Sequence, residues 1–163
     1  MKISQIMKRQ VVSIPESASI GEAAALFINH HVGILPVVDG SSRLVGLLLL
    51  GDVLSLVLPD FVQLMEDFDF VHDFGAVEAR RLSPEAMARP VSQVMQEPIC
   101  VQETSGLLRT FALLYHHRLA DVPVVAPDKR LVGIVSRVDV GTALLASWQS
   151  TVSPAQGKDS AKP

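Results

Sequence analysis

Short blocks of this chain occur twice, in the same order and at nearly constant spacing. Ile3-Ser4-Gln5-Ile6-Met7 returns as Val91-Ser92-Gln93-Val94-Met95, 88 residues further on. Leu35-Pro36-Val37-Val38 returns as Val122-Pro123-Val124-Val125, Arg43-Leu44-Val45-Gly46 as Arg130-Leu131-Val132-Gly133, and Asp52-Val53 as Asp139-Val140, each at an offset of 87. Four blocks in register with a single one-residue gap mark a duplication. A duplication constrains the fold to two copies of one supersecondary unit that bury a shared core.

The unit reads as β-α-β-β-α. A short β-prone run (Val11 to Ile14, Ile99 to Val101) follows the Ser-Gln-h-Met start, h being an apolar residue. The next stretch has helical period, with Ile20, Ala23, Ala24, Phe27 and Ile28 in copy one and Leu107, Leu108, Phe111, Leu114 and Tyr115 in copy two. Ser19 and Glu22 have the spacing of a capping box. A Pro-Val-Val strand, a polar turn (Asp39 to Ser42, Ala126 to Lys129) and a second strand (Leu44 to Leu48, Leu131 to Val135) lead to a helix expected to begin at Asp52 or Asp139.

The expected organisation is repeat one over 1–58, an insert over 59–90, repeat two over 91–148 and a polar, disordered tail over 149–163. Phe61, Leu64, Met65 and Phe68 have helical spacing, so the insert is expected to be helical.

Bulk chemistry narrows the function. A net charge of −3 supplies no basic field for nucleic acid or anionic lipid. The greasiest stretch, 44–58, is interrupted by Gly46, Gly51, Asp52 and Ser55 and falls short of the roughly 20 apolar residues of a membrane helix. The N-terminus has no apolar signal core. The expectation is a cytoplasmic protein without nucleic-acid or membrane partners. The single cysteine, Cys100, lies in an apolar run with no activating base nearby, which suggests an inert thiol.

Ser-Gln-h-Met, h-Pro-Val-Val and Leu-Val-Gly-h-h-[Ser/Thr]-x-x-Asp, each present twice or nearly so, resemble the CBS-domain family. The resemblance covers Ile3 to Leu58 and Val91 to Leu145. It implies an α+β fold of two tandem CBS repeats packed as a pseudo-twofold pair (a Bateman module), here a stand-alone CBS domain-containing protein. It further implies two clefts that in many members hold AMP, ADP, ATP or S-adenosylmethionine, dimerisation into a flat disc, and regulation of a partner protein rather than catalysis.

A nucleotide site needs an acceptor for ribose hydroxyls, an apolar slot for the base, and donors for any phosphate. A carboxylate at a helix start can serve the first need, and the helix N–H groups with a nearby hydroxyl the last. By the family pattern, Ser136 and Asp139 would hold ribose and phosphate, Arg137 would add a cation, and Ile99, Cys100, Val101, Val122 and Pro123 would form the base slot. Ser and Asp also favour helix N-termini for backbone reasons alone. Copy one keeps Asp52 but puts Leu49 where the serine belongs, so its cleft, with Val11, Leu35 and Pro36, is expected to be weak or empty.

Asp121 stands just before the second h-Pro step and would repel a polyphosphate unless Arg118, Arg137, His116 and His117, or His30 and His31 of the other copy, intervened. The His pairs also read as capping residues at helix C-termini. The ligand's phosphate number stays open.

Glu66, Asp69, His72 and Asp73 could share a helix face, but a charged surface is the simpler reading, and no metal or required cofactor is expected. Asp73-Phe74-Gly75 has no kinase context around it. Without a catalytic constellation the chain is expected not to be an enzyme. The alternative to a ligand sensor is a ligand-independent interaction module acting through the Phe61 to Phe74 insert. Under either reading a homodimer is expected, with Leu144, Leu145 and Trp148 as one candidate stripe.

Overall fold

The computed structural model describes residues 1–58 and 81–149. The expected insert helix at Phe61 to Phe68, the Glu66/Asp69/His72/Asp73 group, the Phe61 to Phe74 surface and the tail beyond Gln149 lie outside the described residues. Nearer repeat two, a short helix, α3 (Pro84–Ala88), starts at Ser83, whose Oγ accepts from Ala86 N at 3.1 Å.

Each repeat forms a three-stranded sheet with helices against it. In repeat one β1 (Ile14–Pro15) pairs parallel with β2 (Ile34–Val38), which pairs antiparallel with β3 (Leu44–Leu49). In repeat two β4 (Val101–Gln102), β5 (Asp121–Val125) and β6 (Leu131–Ser136) repeat that order and register. Helix α1 (Ile20–His30) opens with the expected capping box: Ser19 N donates to Glu22 Oε2 at 2.7 Å, and Glu22 N to Ser19 Oγ at 3.2 Å. Its counterpart is α4 (Leu107–His116).

The second helices, α2 (Leu50–Ser55) and α5 (Arg137–Gln149), begin two residues before the aspartates expected to start them. Both aspartates occupy the third helical position instead. Asp52 Oδ2 accepts from Leu49 N at 2.9 Å, which lets the residue ahead of the helix join it without an unpaired N–H.

The two lead segments cross over. Ile3 N and Ser4 N donate to Ser105 O and Glu103 O, both at 3.0 Å, so the start of the chain docks on repeat two. Reciprocally, Val91 N and Ser92 N donate to Ala18 O and Glu16 O of repeat one at 2.8 and 3.3 Å. Ile3 is completely buried with Leu107, Leu114, Val122, Val124 and Val135, and Val91 completely buried with Ile14, Ile20, Leu35 and Leu48. Each such side chain contributes roughly 1.5–3 kcal/mol of burial, so neither core is complete without a segment from the other end of the sequence.

Two small residues permit the crossing. A Cβ at Gly133 would meet Met7 Sδ at 2.9 Å and Lys8 O at 3.0 Å, and Gly46 faces Met95 and Gln96 in the same way. A third cluster, built on Ile34, Leu44, Leu47 and Val125, seals the seam between the sheets. The two polar turns meet there as well: Leu44 N donates to Lys129 O and Leu131 N to Ser42 O, both at 3.0 Å.

Candidate functional site

The crossing of the lead segments decides what stands beside each aspartate. Lys8 follows the first Ser-Gln-h-Met block, and its backbone exchanges two 2.9 Å hydrogen bonds with Ile134 of β6. That places Lys8 Nζ 3.7 Å from Asp139 Oδ2. Gln96 occupies the matching position, pairs its backbone with Leu47 of β3, and donates from Nε2 to Asp52 Oδ1 at 2.7 Å. Sequence reading missed both residues, although their shared place one step after the repeated block was the available signal.

The two carboxylates differ in what remains open. Asp52 has both oxygens engaged, Oδ2 by Leu49 N and Oδ1 by Gln96 Nε2. Asp139 accepts the Ser136 hydroxyl on Oδ2 at 2.7 Å, while its Oδ1 has no hydrogen-bond partner among the described residues. Ser136 Oγ also accepts from Asp139 N at 2.9 Å, so this serine does cap α5. The cap takes Ser136 Oγ, and Asp139 Oδ1 is left without a hydrogen-bond partner among the described residues.

Phosphate reception by the start of α5 finds less support. Arg137 N donates to Ala120 O at 2.7 Å and Asp139 N to Ser136 Oγ, so two first-turn N–H groups are spent inside the chain. The Arg137 side chain is exposed. His30, His31, His116 and His117 are exposed too and sit at the C-terminal ends of α1 and α4, where cations suit the helix dipole.

Asp121 pairs directly with Ser136 across the β5–β6 ladder. Opposed residues of an antiparallel pair share a face with Cβ atoms about 5 Å apart. Asp121, Ser136, Asp139 and Lys8 thus converge. The Asp121 carboxylate is partly buried and has no hydrogen-bond donor among the described residues. Burial raises its pKa; the Lys8 ammonium partly offsets that rise, and Asp139 adds to it. At the same ladder position repeat one has Ile34 opposite Leu49, two apolar side chains in place of a carboxylate and a hydroxyl.

A carboxylate whose folded pKa is raised binds its proton more tightly in the folded than in the unfolded chain. Its ionisation therefore lowers stability above the folded pKa, and the effect vanishes below the ordinary aspartate range. Asp121→Asn is expected to raise the melting temperature near pH ~8 and to leave it unchanged near pH ~3, as read by circular dichroism. An equal shift at both values would contradict this.

The expected base slots are distributed differently. Val122 and Leu35 are completely buried in their own repeats' cores, Val101 is 7% exposed, and Pro123 and Pro36 are buried, so these side chains hold the sheets together. Ile99 and Cys100 pack at the seam with Ile34, Leu44, Leu47 and Val125. They lie three and four residues after Gln96, and Val11 lies three after Lys8; Ile99 also packs on the core of repeat two. Burial pushes the Cys100 thiol pKa up, consistent with an unreactive sulfur.

Among the described residues no cluster of three or more His, Cys, Asp or Glu could hold a metal, and no helix is long and apolar enough to cross a membrane.

Residues 3–59 and 91–146 match the family model of the CBS domain. An uncharacterised protein of Methanocaldococcus jannaschii is 31% identical over 140 residues, 85% of this chain and 31% of that protein. The CBS domain-containing protein CBSX2, chloroplastic, of Arabidopsis thaliana is 26% identical over 151 residues, 85% of this chain and 60% of that one. The chain spans between 23% and 31% of the length of the first curated relatives it matches. The crystal structure of CBSX2 in complex with AMP superposes with a TM-score of 0.66 at 25% identity, over 90% of this chain and 98% of that one. The CBS domain pair of protein MJ0100, in complex with 5′-methylthioadenosine and S-adenosyl-L-methionine, superposes at 0.65 and 20% identity over 90% and 98%, a likeness of fold. With the matched domain present twice, in two interlocked β-α-β-β-α units, the chain belongs to the CBS-domain family.

Proposed function

We propose that this CBS pair is a regulatory module that binds an adenosine-type ligand beside Asp139 and reports it to a partner protein. The observation that carries the reading is the asymmetry between the two aspartates. Asp139 keeps an oxygen for a ribose hydroxyl, with Ser136 bracing it and Lys8 at its side, whereas Asp52 is satisfied from within. The binding of AMP by CBSX2 and of 5′-methylthioadenosine and S-adenosyl-L-methionine by the MJ0100 pair supports the ligand class. Asp139 would receive the ribose and Val11 would flank the base. Thermal unfolding with adenosine, AMP, ADP, ATP, S-adenosylmethionine and NAD, each with and without Mg²⁺, tests this. A ligand at a hundredfold its Kd stabilises by about 2.7 kcal/mol, a rise of roughly 5–10 °C for a domain of this size. No shift with any compound would overturn the reading.

The same module is proposed to be a homodimer. Helices α1 and α2, with Leu82 and Met87 near α3, line an apolar hollow of about 430 Å³ that takes in Phe27, Ile28, Val53 and Leu54, and Ile28 and Leu54 are 69% and 55% exposed. In the stripe expected at the chain's end, Leu144 instead packs on its own core, while Leu145 and Trp148 are exposed. Light scattering is expected to give twice the 17.6 kDa chain mass, and Ile28→Asp with Leu54→Asp to halve it. A wild-type monomer at high concentration would contradict the proposal.

A further inference from the structure

We infer that the Asp139 cleft selects adenosine compounds whose 5′ substituent is uncharged or cationic, such as a thioether or a sulfonium, over 5′-phosphates. The inference rests on the ligand-binding reading above and adds the charge class of the ligand.

Three features of the cleft carry it. First, the ionisable side chains that interact there among the described residues are Asp121, Asp139 and Lys8, which together bring one net negative charge. Lys8 Nζ is already held at 3.7 Å by Asp139, and its side chain is 69% exposed, so it offsets the two acids only in part. Second, three of the donors a phosphate could use at the start of α5 are occupied: Arg137 N by Ala120 O, Asp139 N by Ser136 Oγ, and the Ser136 hydroxyl proton by Asp139 Oδ2. Third, the Asp121 carboxylate is partly buried on the face it shares with Ser136, with no hydrogen-bond donor among the described residues. An incoming cation would satisfy it, and an incoming anion would face it directly.

A ribose diol held by Asp139 Oδ1 brings the 5′ group into the cleft that Asp121 shares, where at about 7 Å and a dielectric between that of protein surface and water one unit of charge changes affinity by roughly tenfold. Repeat one cannot make this selection, because Ile34 and Leu49 occupy the equivalent places.

Isothermal titration of the full chain at low ionic strength with 5′-methylthioadenosine, S-adenosylmethionine and AMP tests the inference, with circular dichroism confirming that each variant folds. The thioether and sulfonium compounds are expected to bind at least about tenfold more tightly than AMP. Asp121→Asn is expected to shrink that preference about tenfold, chiefly by strengthening AMP. AMP binding as tightly as 5′-methylthioadenosine, or a preference unchanged in Asp121→Asn, would overturn the inference while leaving the adenosine site standing. Absence of binding by all three compounds would instead remove the ligand reading on which it rests.

Discussion

Asp139→Ala is expected to abolish saturable binding of adenosine compounds while leaving the chain folded. A carboxylate that accepts from ribose hydroxyls forms charge-assisted hydrogen bonds, each contributing about 1.5–3 kcal/mol. Loss of one or two corresponds to a drop in affinity on the order of a hundredfold. The folded state tolerates the change because Ser136 Oγ still caps α5 through Asp139 N, a backbone bond that alanine keeps. Asp52→Ala provides the contrast. It removes acceptors for Leu49 N and Gln96 Nε2, so it should lower stability by roughly 1 kcal/mol and leave affinity unchanged. Calorimetry on both variants separates the roles. Equal losses of affinity would mean that the two clefts are equivalent.

Ile3→Ala is expected to destabilise the whole chain by about 2–5 kcal/mol, although Ile3 stands third in the sequence and outside every regular strand. The side chain is completely buried in the core of repeat two, where its removal leaves a cavity the packed sheet cannot close. For a chain of this length the midpoint should fall by roughly 5–15 °C. Leu108→Ala, 65% exposed on α4, should change stability by less than about 0.5 kcal/mol. A small effect at Ile3 would mean that the lead segment is dispensable and the repeats are not interlocked.

The interlocking explains which parts of the molecule were legible in the sequence. The duplicated blocks specify two β-α-β-β-α units, and the Ser19/Glu22 capping box, the Pro-Val-Val strands and the paired turns all fold as local pattern dictates. These features depend on neighbours a few residues apart. The segment docked beside each aspartate does not: Lys8 reaches Asp139 and Gln96 reaches Asp52 because the leads exchange places, and nothing in local spacing records an exchange between identical-looking units. Ile99 and Cys100 follow Gln96 to the seam with Ile34, Leu44 and Leu47, while Val101 stays in the core of repeat two. Val122 and Leu35 are completely buried in the cores of their own repeats, whereas Asp121 on the same strand as Val122 is only partly buried. Leu49, by contrast, was visible in sequence as the departure of repeat one. The structure extends that departure to its ladder partner, Ile34, where repeat two has Asp121.

This CBS pair is proposed to carry one working adenosine site, and the number of ligands bound at saturation tests that most directly. Equilibrium dialysis of the full chain against 5′-methylthioadenosine and against AMP, run to saturation, should give one ligand per chain, lost in Asp139→Ala and retained in Asp52→Ala. Two per chain, or none at any concentration, would contradict the account.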